Sequence, residues 1–186
     1  MKILFTHSYF YKLDAKQWRF KQPYPPLGTI LAASVMREQG YDVTLFDTNL
    51  KDDPGEIVPV LKQHRPKYMV LYDDGFNYLT KMCLTNMREA AFVMSTAGKQ
   101  SGCTVIVSSS DAADQYDKYF DHGVDYVVKG EGEETLKELI DTIEAGKDPS
   151  AVPGIVYRKK SASVVTQSRP VLRDLDELPI PAWDLV

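Results

Sequence analysis

Short apolar runs alternate with helical periodicities along most of the chain. KILF (2–5), DVTLF (42–46), YMVLY (68–72), TVIVS (104–108) and DYVV (125–128) are rich in β-branched, aromatic and leucine residues, with apolar side chains on both faces. A strand buried on both faces is what a parallel sheet between two helix layers requires. Between the runs the period lengthens to that of a helix. Leu27, Ile30, Leu31 and Val35 form one stripe, closed by Gly40, and Ile57, Val60 and Leu61 form a shorter one before Pro66. Leu79, Met82, Met87, Ala90 and Met94 make the longest. Leu136, Leu139, Ile140 and Ile143 make the most regular, stopped by Gly146 and Pro149. Segment 111–122 reads as a weaker amphipathic helix. The methionines of the third helix sit at core spacing and read as packing residues.

Five strands alternating with helices predict an α/β, doubly wound, flavodoxin-like and mostly parallel sheet. Ligands in such sheets bind beyond the carboxyl ends of the strands, where the strand order reverses. The loops to examine are therefore 6–26, 47–54, 73–78, 109–113 and 129–133. After Pro149 the pattern changes. GIVYRKKSASVVTQS reads as a small C-terminal β-hairpin with its turn at KKSAS, and RDLDELPIPAWDLV as an exit segment lying on the domain surface. The implied division is 1–150 for the α/β domain, 151–172 for the hairpin and 173–186 for the exit linker.

The chain has 186 residues, enough for one sizeable core, and 44% hydrophobic with 26% charged residues is ordinary for a soluble globular domain. A net charge of −4 leaves no basic footprint, so no nucleic-acid partner is expected. No apolar stretch is long enough for a bilayer and the N-terminus lacks a leader pattern, so no membrane partner is expected either. Cys83 and Cys103 lack a CxxC spacing and read as buried thiols in a reducing, cytoplasmic compartment.

The loops carry the candidate chemistry. The first spans about twenty residues where a handful is usual, and holds Tyr9, Phe10, Tyr11, Trp18, Phe20 and Tyr24. It is either a binding surface or a cover for a neighbouring domain. PPLG then opens a helix, with Gly28 allowing close approach of a flat group. His7 beyond the first strand reads as a hydrogen-bonded strand-end residue rather than a metal ligand; His64 and His122 read as solvent-facing. In DDGFNY (73–78), Asp73 together with Lys129 imitates a phosphoacceptor receiver domain. The first strand ends FTHS without the acidic pair that would hold Mg²⁺, which leaves that signalling reading as an alternative. A flavin phosphate loop is absent after the first strand. SSSDAAD (108–114) offers hydroxyls and a helix cap at Ser110 or Asp111. KGEGEE (129–134) places Glu131, Glu133 and Glu134 in the positive field of a helix N-terminus, which disfavours a phosphate there.

Three of these segments coincide with one family. PPLGTILAASVMREQGYDVTLFD, GVDYVVKGEGEETLKELI and LDELPIPAWDL resemble, in order and spacing, the amino-terminal cobalamin-binding domain of class B radical S-adenosylmethionine enzymes. The resemblance implies a cobalamin-binding module, not catalytic by itself, truncated before a barrel that would hold the iron–sulfur cluster and S-adenosylmethionine. Its partner would be that C-terminal radical catalytic domain of the same parent chain, with methyltransferase-like activity. It also implies corrin contacts from Gly130, Glu131 and Gly132, with Gly28, Asp73, Ser109 and Ser110 as further cofactor-binding residues. The glutamates would meanwhile satisfy the helix N-terminus, and the aromatic first loop would cover the corrin face. THSYFY departs from the Asp-x-His-x-x-Gly pattern, so a histidine below cobalt is not expected. Ser108, Ser109 and Ser110 stand where glycines often let the nucleotide tail pass. A degenerate docking or substrate-binding module without cobalamin therefore stays open as an alternative.

Overall fold

The computed structural model describes residues 1–73 and 83–186. The five apolar runs form β1 (Lys2–Thr6), β2 (Asp42–Phe46), β3 (Tyr68–Tyr72), β4 (Thr104–Ser108) and β5 (Tyr126–Val128). They pair in parallel in the order β2-β1-β3-β4-β5. That is the doubly wound order expected, with its reversal between β1 and β3.

Alternation along each strand divides the core into two layers. Leu4, Met69, Leu71, Val105, Val107 and Val127 face one side. There they pack on α3 (Ile57–His64), α4 (Leu84–Gln100) and α5 (Ser110–Asp121). Ile3, Phe5, Tyr68, Val70, Tyr72 and Val128 face the other, against α2 (Leu27–Glu38) and α6 (Glu133–Glu144). Met87, Ala90 and Met94 of the longest stripe are buried, as their spacing requires; Leu79 and Met82 lie outside the described residues. Leu136, Leu139 and Ile140 of α6 are fully enclosed, and each contributes roughly 1.5–3 kcal/mol of transfer free energy. A further one-turn helix, α1 (Ala15–Trp18), forms inside the first loop, where Asp14 accepts from the backbone N–H groups of Lys16 and Gln17.

The hairpin is present as β6 (Ile155–Lys159) and β7 (Ala162–Val165). Its turn is tighter than KKSAS suggested, two residues with Lys160 at φ +56°. It is also continuous with the sheet: Val128 pairs with Ile155 and Tyr126 with Tyr157, both antiparallel, giving seven strands among the described residues. The exit segment lies on the surface over α2. The Ala182 N–H donates to the Ile30 carbonyl at 3.1 Å, and Arg37 pairs with Asp184 at 2.8 Å.

Candidate functional site at the strand ends

The reversal between β1 and β3 brings the loops after those strands together. The Ser8 backbone N–H donates to the Asp73 carboxylate at 2.7 Å, and the Ser8 hydroxyl lies 2.9 Å from both of its oxygens. The Asp73 N–H in turn donates to the Ser108 carbonyl at 2.9 Å. Burial raises the Asp73 carboxyl above its ordinary value despite the opposing Ser8 hydrogen bonds. The rest of the loop after β3, 74–78, lies outside the described residues.

His7 is buried and both ring nitrogens are engaged. Nε2 sits 2.9 Å from Asp47 Oδ1, and Nδ1 3.1 Å from the Thr48 hydroxyl. The strand-end role read from the sequence is the one observed. Among the described residues no group of three His, Cys, Asp or Glu side chains could hold a metal ion. His122, expected to face solvent, is half-exposed and stacks flat on Phe92 with ring centroids 3.8 Å apart.

The GEGE turn joins β5 to α6, and its two glycines answer different needs. Gly130 takes φ +77° with open space where a Cβ would stand, so its requirement is conformational. A Cβ on Gly132 would lie 2.9 Å from the Tyr72 hydroxyl and 3.0 Å from the Ser108 hydroxyl, so its requirement is packing. The Tyr72 hydroxyl accepts from the Gly132 N–H at 3.2 Å and donates to Glu133 at 2.9 Å. Glu131 accepts from the Leu172 N–H at 3.1 Å, which ties the turn to the segment following β7. A cavity of about 220 Å³ lies there, lined by Glu131, Glu133, Glu134, Arg169 and Leu172.

The glutamates meet the helix N-terminus by their charge and not as caps. Gly132 is the cap residue of α6 and supplies no side chain. Glu133 and Glu134 add negative charge to the first turn, but the Glu131 and Glu133 carboxylates are taken by Leu172 and Tyr72.

At the end of β4 the cap is Ser109, whose hydroxyl accepts from the Ala112 N–H at 3.0 Å, not Ser110 or Asp111. Ser110 is exposed at the start of α5. Asp111 is instead gripped by both arms of Arg88 and receives the Tyr119 hydroxyl at 2.9 Å. Burial pushes its carboxyl up, but the Arg88 and Tyr119 hydrogen bonds outweigh that and hold it below the usual range. Gly28 occupies the first turn of α2, next to Thr29, whose hydroxyl donates to the Tyr72 carbonyl at 2.6 Å. The structure therefore joins Asp73, Gly132 and the Gly28–Thr29 turn through residues 72, 73 and 108.

The aromatic loop corrects another expectation. Tyr9, Phe10 and Tyr11 are 1–3% exposed, so they do not form an outward cover. Tyr9 stacks on Tyr24 and Tyr11 meets Trp18 edge-on, against Met87. Asp14 anchors this cluster by accepting from the Tyr9 hydroxyl at 3.0 Å and the Cys83 thiol at 3.1 Å. Of the six ring residues, Phe20 is the exposed one, at 65%.

Two features of the site escaped the sequence reading. In the sequence Tyr72 is part of the apolar run YMVLY, and Arg88 carries no signal of its own. A tyrosine at the last position of a central strand, where neighbours are expected to be wholly apolar, was the available signal.

No family model matches the chain. An uncharacterised methyltransferase of Pyrococcus horikoshii is 28% identical over 170 residues, which are 87% of this chain and 34% of that protein. The anaerobic magnesium-protoporphyrin IX monomethyl ester cyclase of Synechocystis is 25% identical over 171 residues, 89% of this chain and 32% of that protein. The hopanoid C-3 methylase of Methylococcus capsulatus is 28% identical over 135 residues, covering 70% and 24%. Among solved structures, the cobalamin-dependent S-adenosylmethionine radical enzyme OxsB with aqua-cobalamin bound superposes with a TM-score of 0.73 at 20% identity, over 99% of this chain and 24% of that one. The radical S-adenosylmethionine methyltransferase TsrM from Kitasatospora setae, with cobalamin and a [4Fe-4S] cluster, gives 0.67 at 16% identity, over 97% and 31%. The chain spans about a third or less of the length of these proteins. In sequence motifs and in fold, then, the chain resembles the amino-terminal cobalamin-binding domain of cobalamin-dependent radical S-adenosylmethionine enzymes.

Proposed function

We propose that this chain is the cobalamin-binding module of a radical S-adenosylmethionine enzyme, with methyl transfer as the chemistry that bound cobalamin would serve. The parent enzyme's iron–sulfur cluster and S-adenosylmethionine would belong to a catalytic domain of the same chain, which is also the module's partner. The α/β unit 1–150 would carry the cofactor, 151–172 would extend the sheet, and 173–186 would lead toward that domain. A reducing cytoplasmic setting accords with the two free thiols, Cys83 and Cys103. No helix among the described residues is long and apolar enough to cross a membrane.

The observation that carries this reading is the open Gly130 turn at the carboxyl end of β5, in the fold shared with OxsB. Cobalamin's corrin rim bears primary amides, which donate hydrogen bonds and seek carbonyl or carboxylate acceptors. Gly130 presents bare backbone, Glu131 is exposed with one carboxylate oxygen held by the Leu172 N–H, and Ser110 is exposed in the loop after the neighbouring strand β4. That chemistry fits the group. Gly130, Glu131 and Gly132 would hold the rim, with Gly28, Asp73, Ser109 and Ser110 around it. His7 is enclosed by Asp47 and Thr48, which supports a cobalt without a protein histidine below it.

One observation favours the second reading, a docking module without cobalamin. Tyr72, Ser108 and Gly132 pack so closely that little room is left between the ends of β3 and β5. Titration with hydroxocobalamin, followed by gel filtration and a visible spectrum, separates the two. Colour co-eluting near one-to-one, without a histidine-ligated signature, supports the first. A colourless protein, both as this chain and in its longer natural context, supports the second.

A further inference from the structure

Tyr72 closes β3 at the strand ends and is 6% exposed. It does for α6 from another strand what a capping box does within a helix. The box needs an acceptor for a backbone N–H at the cap and a partner for the acid of the first turn. Tyr72 supplies both, accepting from Gly132 at 3.2 Å and donating to Glu133 at 2.9 Å, where the cap residue itself has no side chain. Its carbonyl accepts from Thr29 at the start of α2, so one residue joins three of the loops around the site. Gly132 is shaped to this hydroxyl, since a Cβ there would stand 2.9 Å from it.

The same strand holds the other end of the same helix. Tyr68, four residues earlier on the same face of β3, donates its hydroxyl to Glu144, the last residue of α6. Four strand residues span about 13 Å and eleven helical steps about 16 Å, so the pair brackets α6 along nearly its whole length. Only the Tyr72 end meets the candidate site.

We propose that Tyr72 is the positioning residue of the Gly130–Gly132 turn: its hydroxyl sets the height at which that backbone meets a ligand laid across the strand ends. The ligand part rests on the cobalamin reading above; the hold on the turn does not.

The test compares Tyr72→Phe with Tyr68→Phe in the full chain. Each removes one hydroxyl from a Tyr–Glu bond to α6, one at the site and one away from it. Two readouts are taken: amide hydrogen exchange at residues 130–133 in ligand-free protein, and the dissociation constant for hydroxocobalamin. Tyr72→Phe is expected to speed exchange at Gly132 and weaken hydroxocobalamin, each about tenfold, the scale of one hydrogen bond. Tyr68→Phe is expected to leave both within about twofold at a similar loss of thermal stability. Unchanged exchange in Tyr72→Phe overturns the proposal. So does faster exchange with unchanged affinity, or equal effects from the two variants. If hydroxocobalamin is retained neither by this chain nor in its longer natural context, the cobalamin reading fails by itself, and the exchange comparison alone decides whether Tyr72 holds the turn. Should Tyr72→Phe not fold, Glu133→Ala removes the acceptor that orients the Tyr72 hydroxyl while leaving the Gly132 N–H on it, so both effects are expected to be smaller, about threefold, and no change in either overturns the proposal.

Discussion

Ser8 gives both its backbone N–H and its hydroxyl to the carboxylate of Asp73, across the one place in the sheet where strand order reverses. The two residues are 65 positions apart. The bond closes β1 onto β3 at their carboxyl ends, and it does so with a carboxyl that burial holds above its ordinary value. A raised acid favours the folded state when protonated. Its contribution is therefore fully present below the unfolded value near 3.9 and lost as pH rises through the folded one.

Asp73→Asn follows from that sign. The amide keeps an oxygen for Ser8 and removes the buried charge, so stability at neutral pH should rise by about 1 kcal/mol. The gap should close below pH ~4, where the wild-type carboxyl is neutral too. Urea unfolding at pH 7 and pH 3.5 checks both the gain and its disappearance.

Arg88 and Asp111 have the opposite sign. Asp111 is held below the usual carboxylate range, so its stabilisation is present above the unfolded value and lost as pH falls toward the folded one. Arg88→Met removes both guanidinium bonds and leaves the largely buried carboxylate with Tyr119 and Lys118. A loss of about 2 kcal/mol is expected at pH 7, discounted from the cost of a fully buried pair because Arg88 is 27% exposed. The difference from wild type should shrink below pH ~4. Thermal melts across that range would show a pH-independent loss if the pair is merely packed.

The two glycines of the GEGE turn should separate in a denaturation series. Gly130→Ala meets only its left-handed backbone and should cost roughly 1–2 kcal/mol. Gly132→Ala drives a methyl into Tyr72 and Ser108 and should cost about 1–3 kcal/mol. Because the nearest obstacle is the Tyr72 hydroxyl, Gly132→Ala combined with Tyr72→Phe should cost less than the sum of the two. Additive values would mean that the clash is relieved elsewhere.

The Cys83 thiol is pushed up to about 11, by burial first and then by the Asp14 carboxylate, which accepts its S–H hydrogen bond. At pH 8 the native thiol should alkylate slowly, and the unfolded thiol should react at an ordinary rate. Asp14→Asn should speed the native reaction by several fold while also loosening α1, whose first N–H groups Asp14 accepts. Iodoacetamide labelling followed by mass spectrometry reads both, with Cys103 as the internal reference.

What the sequence determined by itself was the layered sheet. The five runs from KILF to DYVV became β1 to β5 within a residue or so, because burial on both faces is written in consecutive side chains. The Leu136–Ile140 stripe became the buried face of α6 for the same reason. The tertiary structure decided what the polar groups do. Ser109 caps α5 while Asp111 turns to Arg88, 23 residues away; Tyr72 meets Gly132 across 60 residues. Tyr9 and Tyr11 of the first loop fold inward on Asp14 and Met87, while Phe20 stays exposed. A hydrophobic period reports which side of an element is buried, because that depends on neighbours a few residues apart. A hydrogen bond needs one donor and one acceptor within about 3 Å, and only the folded chain sets which pairs those are.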